Sequence, residues 1–235
     1  MDFLLDVLLY AGIALAVVFA LSLTPPGRDL RRRMMARIYT KVQRKHDEHV
    51  ADRKRELLAR LSGTVLEIGP GTGVNFQYLP RAVTRWIGIE PNPHMHAELR
   101  EVGARHDVAT EFRTVSTEGM AVDDASVDAV LSTLVLCSVP DPSAVLRDVR
   151  RILVPGGRFV FLEHVASPRG TGLRRVQWLA KPLWRYIADG CCPDRELAQA
   201  IRDAGFARLE LDEFRVPKSV VPSLVSPHIA GVAVK

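Results

Sequence analysis

From Gly63 onward the chain alternates short apolar runs with helical stretches, and the first junction is the run Glu67-Ile68-Gly69-Pro70-Gly71-Thr72-Gly73. Apolar runs at Thr64–Ile68, Arg85–Ile89, Glu111–Val115, Val127–Thr133 and Arg158–His164 read as strands. Val74–Leu79, His94–Val102 and Pro142–Leu153 read as helices between them, the last with Asp141 as its N-cap. Strands that alternate with helices can bury their apolar faces only in a parallel sheet covered on both sides. The tail departs from this rhythm. Asp194–Ala204 reads as a helix stopped by Gly205, and Ala207–Phe214 and His228–Val234 then follow as strands with only a proline-bearing loop between them. Two strands joined without a helix predict an antiparallel pair at the sheet edge.

Composition narrows the class. The 235 residues are 25% charged and 47% hydrophobic, which excludes both a polytopic membrane protein and a disordered chain. Three cysteines, two of them adjacent, exclude a disulfide scaffold. With no C-x-x-C pair, the spacing predicts no metal site. The net charge of +5 is concentrated: residues 24–60 hold twelve Lys or Arg against five Asp or Glu, while residues 61–235 hold twenty of each sign. The body from residue 61 onward therefore carries no net charge, and no nucleic-acid partner is expected.

Phe3–Leu23 is a run of 21 residues with one charge, Asp6. At 1.5 Å per residue it could cross about 30 Å of hydrocarbon. Its acidic start and the Leu21–Pro26 flank do not suit a signal peptide. Residues 1–24 are thus expected to be a transmembrane or monotopic anchor, ended by Pro25-Pro26-Gly27. Residues 25–62 follow as a basic helical neck, and 63–235 as the α/β domain. The arginines after the anchor would keep the body on the cytoplasmic side and can also bind anionic lipid head groups. The membrane would be the endoplasmic reticulum or lipid droplet in a eukaryote and the inner membrane in a bacterium.

The loop Gly69–Gly73 lies where the first strand meets the first helix, and ligands in such sheets bind at the carboxyl ends of strands. Its G-x-G-x-G spacing departs from the dinucleotide fingerprint G-x-G-x-x-G. Glu67, two residues ahead, would repel pyrophosphate but suits the cationic, phosphate-free S-adenosylmethionine. Glu90 after the second strand can accept both hydroxyls of a ribose. Thr117 and Glu118, after the third strand, offer acceptors to an adenine amino group. Together with the Leu153-Val154-Pro155-Gly156-Gly157 turn, these elements resemble the class I S-adenosylmethionine-dependent methyltransferases over about residues 63–235. The resemblance implies a seven-stranded Rossmann-like α/β sheet with its last strand antiparallel.

Several runs are similar to a narrower group, the membrane-anchored thiol S-methyltransferases of the methyltransferase-like seven family. They are Gly71–Gln77, Glu90–His94, Thr133–Val139, Glu163-His164-Val165, Asp189-Gly190-Cys191-Cys192 and Pro227–Gly231. Pro70 and Glu90 stand where that family commonly has cysteine and aspartate, and neither change removes a glycine or a carboxylate. The resemblance carries Thr72, Asn75, Pro91, Asn92 and Leu134 into the cofactor site beside Glu67, Gly69, Gly71, Gly73 and Glu90. It implies a small apolar thiol as acceptor, with a quinone or phospholipid as the alternative. A non-enzymatic, membrane-tethered S-adenosylmethionine-binding scaffold is a further reading.

A thiol must lose its proton before it attacks. His164 and Asp189, near carboxyl ends of strands, are the candidate catalytic groups, with Cys137, Trp184, Cys191 and His228 as candidate substrate contacts. Residues 171–192 insert before the helix at Asp194. Their Trp178, Trp184 and Tyr186 interleave with Arg174, Arg175, Lys181 and Arg185, a pattern that predicts a lid touching the membrane.

Overall fold

The computed structural model describes residues 19–114 and 120–235, with isolated positions 7, 10, 13 and 17 ahead of them and the side chains of 39–42 apart. Most of the expected anchor, Phe3–Leu23, lies outside the described residues. Among those described, no helix is long and apolar enough to cross a membrane.

The first long element, α1, spans Pro25–Leu58. Thr24 caps it by accepting the Gly27 N–H at 3.3 Å. Pro25 and Pro26 occupy the first turn, where an N–H has no helical partner to lose. The Pro25-Pro26-Gly27 run therefore begins a helix as well as following one.

The sheet is built from β1 (Gly63–Ile68), β2 (Val83–Ile89), β3 (Ala109–Arg113), β4 (Val127–Thr133), β5 (Leu153–His164), β6 (Arg208–Arg215) and β7 (Pro227–Val234). Its strand order is β3-β2-β1-β4-β5-β7-β6. The first five strands run parallel, and β7 lies antiparallel between β5 and β6. The expected antiparallel pair thus forms, with the exposed strand β6 at the edge. Helices α2 (His96–Gly103), α3 (Pro142–Ile152), α4 (Gly172–Ile187) and α5 (Leu197–Asp203) complete the fold. Asp141 caps α3, accepting the N–H groups of Ser143 and Ala144.

Side chains alternate between faces along a strand, so adjacent residues feed opposite cores. Leu66, Ile87, Val130 and Phe159 enter one core with Val145, Leu146 and Val149 of α3 and Leu197 and Ile201 of α5. Their neighbours Val65, Trp86, Leu131 and Val160 enter the other core with Leu58, Leu61, Phe76 and Leu99.

Val74–Leu79 forms no α-helix, only one tight turn at Phe76–Tyr78. Pro80 disfavours helical backbone at Leu79, which is extended (φ −66°, ψ 126°). The Asn75 side chain is also held inward by three partners. The helix expected from Asp194 begins at Leu197, because Asp194 instead accepts from Lys181 at 3.1 Å and its neighbour Arg195 donates to the Val139 carbonyl at 2.5 Å.

The second half of α1 is part of the domain. His46, Asp47, Val50, Lys54 and Leu58 are buried along one helical stripe. Lys54 Nζ donates to Asp47 Oδ1 at 2.6 Å and to Asn75 Oδ1 at 2.8 Å. Asn75 Nδ2 donates to Glu67 Oε1 at 2.6 Å and to Thr133 Oγ1 at 2.9 Å, and Trp86 Nε1 donates to Glu67 Oε2 at 2.9 Å. Asp47 Oδ2 accepts from the Tyr78 hydroxyl at 2.6 Å. This one network joins α1, β1, β2, β4 and the glycine loop. On the outer side, ion pairs from Arg53 of α1 to Asp212 and from Arg60, just past its end, to Glu210 tie this stretch to edge strand β6.

Lys54 and Asp47 side chains are 2% and 8% exposed, so removing one partner strands a buried charge. Lys54→Met is expected to cost about 3–5 kcal/mol. The double variant Asp47→Asn/Lys54→Met should cost less than the sum of the single changes. Urea unfolding of the four proteins measures both, and strictly additive losses would contradict the coupling.

Candidate active site

Strand order reverses between β1 and β4, and a crevice opens there at the carboxyl ends of the strands. The loop after β1 forms one wall. Gly69 (φ 59°) and Gly71 (φ 58°) are left-handed, and a Cβ on Gly69 would meet the Val135 side chain at 2.7 Å. Glu90, at the end of β2, clamps this wall. Its Oε2 accepts the Gly71 N–H at 2.9 Å and its Oε1 the Asn92 N–H at 2.8 Å. Burial pushes the Glu90 carboxyl upward, and the Asn92 and Gly71 amides oppose the rise.

The cleft has a volume of about 980 Å³. Of the residues expected at the cofactor, Gly69, Gly71, Glu90, Pro91, Asn92 and Leu134 line it. Asp189 lines the other side, 4.0 Å from Arg32 Nε. Leu134 (φ 59°) and Asp189 (φ 45°) hold left-handed backbone without being glycine, a strain that needs local support and gathers at functional sites. Leu134 N–H is fixed to the Leu162 carbonyl, and Val135 N–H to Glu163 Oε1.

Other expected site residues lie elsewhere. Glu67 is fully buried beneath the loop and, with Asn75, belongs to the Lys54 network; burial raises its carboxyl. Gly73 packs against Leu99, Phe76 and Val102, and Thr72 borders a separate hollow with Arg33, Arg37 and His94. Thr117 and Glu118 lie outside the described residues.

His164 does not line the cleft. It sits behind the wall with its Nε2 2.9 Å from Cys191 Sγ, and its Nδ1 is buried without a partner. Trp184 Nε1 donates to the same sulfur at 3.1 Å. Cys137 completes the group, the three ligand atoms lying within 4.8 Å of one another. Cys191 is drawn down by a hydrogen bond from Cys137 and by His164, and the same contact pushes the Cys137 thiol up. His228 instead stacks on His46, ring centroids 5.0 Å apart, with Nε2 atoms 3.1 Å apart. Its Nδ1 lies 3.0 Å from the Ser226 carbonyl, an acceptor only. His228 therefore carries its proton on Nδ1, and His46 donates to its Nε2. Burial lowers His46 to about 3 and His228 to about 4, which keeps both rings neutral.

α1 brings to the site residues that no local sequence motif marks. Arg31, Arg32 and Met35 line the cleft beside Tyr186, over which the Arg31 guanidinium stacks at 4.4 Å. A signal was present in the four-residue spacing of His46, Val50, Lys54 and Leu58, but half of that stripe is polar.

The residues suit S-adenosylmethionine. The glycines allow a ligand close to the backbone, Glu90 offers a buried carboxylate, and Asn92 Nδ2 is a buried donor without a partner beside it. A family model described as a methyltransferase domain matches residues 66–161. Thiol S-methyltransferase TMT1B of Homo sapiens is 39% identical over 202 residues, 81% of this chain and 82% of that protein. Thiol S-methyltransferase TMT1A of Homo sapiens is 41% identical over 201 residues, 81% of each chain. The fold is shared with a solved structure of an S-adenosylmethionine-dependent methyltransferase from Thermotoga maritima, described as a possible histamine N-methyltransferase. That likeness has a TM-score of 0.63 at 21% identity and covers 87% of this chain and 98% of that one. With the glycine loop, the Glu90 clamp and the β3-β2-β1-β4-β5-β7-β6 sheet on one chain, this protein belongs to the thiol S-methyltransferase family of the class I S-adenosylmethionine-dependent methyltransferases.

Proposed function

We propose that this enzyme S-methylates small apolar thiols at a membrane surface. One observation carries the reading: a single cleft joins the wall made by Gly71, Glu90 and Asn92 to an acceptor side of Val139, Pro182 and Tyr186, beneath a helix with its apolar face turned outward. The names of the two human relatives support the acceptor class. S-adenosylmethionine supplies an electrophilic methyl group when bound. Gly69, Gly71, Glu90, Asn92 and Leu134 would hold it, and Ser138, Val139 and Asp189 would border the acceptor. Holding two reactants in line removes about 7–11 kcal/mol of barrier, so positioning is the main task of the cleft. In this structure His164 Nε2 is committed to Cys191 and is not free to take the acceptor's proton.

The membrane reading rests on α4 and α1. Gln177 points inward, donating to the Leu224 carbonyl at 2.8 Å and accepting from Ser167 N–H at 2.8 Å. Val176, Trp178, Leu179, Leu183 and Ile187 are exposed instead, as are Leu30, Met34 and Ile38 of α1 near Arg28, Arg33 and Arg37. Such surfaces enter lipid with their bases at the head groups. The excess of arginine after residue 24 favours a cytoplasmic body.

Three measurements test the proposal. Glu90→Ala should weaken S-adenosylmethionine binding about 10- to 100-fold in calorimetry, the worth of hydrogen bonds to a charged group; equal affinity would remove Glu90 from the site. Initial rates for a series of alkyl thiols should rise with pH until the acceptor is ionised, and should rise with chain length. Turnover of a quinone or phosphatidylethanolamine with none of any thiol would replace the acceptor class. Deleting residues 1–23 should leave a protein that binds anionic vesicles at low salt and leaves them at high salt. Failure of the truncated protein to bind anionic vesicles at any salt would remove the surface made by α1 and α4.

A further inference from the structure

Cys137 follows β4, His164 ends β5 and Cys191 follows α4, so 54 positions of chain separate the two sulfurs that the fold brings together. All three residues are buried, and Sγ, Nε2 and Sγ lie within 4.8 Å of one another. We propose that they form a zinc site with two thiolate ligands, one imidazole ligand and one open position.

The donor set selects the metal. Two thiolates and a neutral imidazole around Zn²⁺ sum to zero charge, which suits a pocket shared with Leu136, Val139 and Val165. The same ligands around Cu⁺ would bury a net negative charge, and hard cations such as Mg²⁺ or Ca²⁺ prefer oxygen. Sulfur and nitrogen ligands at about 2.3 and 2.0 Å in a tetrahedron stand about 3.5 Å apart. His164 Nε2 and Cys191 Sγ, at 2.9 Å, need open by only about 0.6 Å, within reach of small side-chain rotations. The Trp184 indole N–H on Cys191 Sγ is the kind of outer hydrogen bond that steadies a metal-bound thiolate. Cys192 stands apart, its thiol turned to the Gly190 carbonyl at 3.5 Å.

The open position gives the site its use. Ser138 and Gly190, next in sequence to two of the ligands, line the cleft, so a metal held here borders it. Three protein ligands with a vacant fourth place are the pattern of catalytic zinc, and the vacant place takes a soft donor. With a thiol acceptor, a role that rests on the proposed function, the S–H bond breaks, its proton passes to water, and the sulfur bonds to the metal as thiolate. A thiol with an ordinary pKa near 8.5 is thereby ionised at neutral pH. This supplies the activation that His164 cannot give as a base while bonded to Cys191.

The test reads the metal apart from turnover. The full chain, purified in detergent without chelator, should hold one zinc per chain by elemental analysis. Exchanged for Co²⁺, the site should show a thiolate-to-cobalt charge-transfer band and the visible bands of a tetrahedral ion, and an added alkyl thiol should shift both. Cys191→Ser and Cys137→Ser should each lower zinc affinity about 100-fold or more, beyond the loss expected for Trp184→Phe, which removes only an outer hydrogen bond. Cys192→Ser should leave the affinity unchanged. Thermal melts of each variant separate lost binding from lost folding, and the wild-type cobalt spectrum needs no variant at all. A metal-free chain that takes up no Co²⁺, or a Cys137–Cys191 disulfide in its place, overturns the site. A cobalt spectrum indifferent to thiols, with thiol turnover intact, overturns the open position. Cobalt bands without thiol turnover uphold the metal and discard the acceptor.

Discussion

Lys54 is the residue on which the arrangement of this enzyme turns. Its Nζ is buried near the end of a long helix, where Asp47 and Asn75 accept from it, and a polar group buried there without such partners is costly. Asn75 passes the constraint to Glu67 and Thr133, and Trp86 completes the set on Glu67. The helix that carries the basic segment is thereby locked to the floor of the glycine loop. The residues beneath the loop are held by these bonds, and an unmade bond in that buried position is costly.

Above that floor the division of labour is clear. Glu67, expected to meet the cofactor, lies buried beneath the loop and bonded to Asn75 and Trp86, whereas Glu90 lies in the cleft wall and accepts the Gly71 and Asn92 amides at once. Leu134 and Asp189 both line the cleft in left-handed backbone. Behind the wall, a second buried set of Cys137, His164 and Cys191 sits beside the neutral His46–His228 pair. Side chains that can ionise are thus packed on both sides of a thin wall, and the cleft itself is lined mostly by small or apolar groups.

Helix α4 inverts the usual amphipathic rule. Its polar Gln177 is buried and satisfied by backbone partners, while Trp178, Leu179 and Leu183 face outward. The end of the N-terminal segment lies against it, with Phe19 5.1 Å from the Tyr186 ring and Arg31 stacked over the same ring. One surface therefore gathers the exposed apolar side chains and the arginines of α1, and the cleft opens beside it.

The sheet and the loop can be read from the sequence, because both rest on local patterns. Period-two apolar runs mark strands, and a glycine spacing marks a turn that only glycine makes easily. Seven strands, the antiparallel pair at the edge, Asp141 as a cap and Glu90 at the second strand's end were all legible on those grounds. Tertiary structure decided the rest, because contact between distant residues leaves no local trace. The stripe His46, Asp47, Lys54 is polar, so nothing in its hydropathy signals burial; its partners are Asn75 and Tyr78, just after the glycine loop, and His228 on β7. Val74–Leu79 has helical composition, yet Pro80 and the inward Asn75 override it. Cys137, His164 and Cys191 show no ligand spacing along the chain, and become neighbours only because β4 and β5 pair side by side and α4 returns Cys191 to the same end of the sheet.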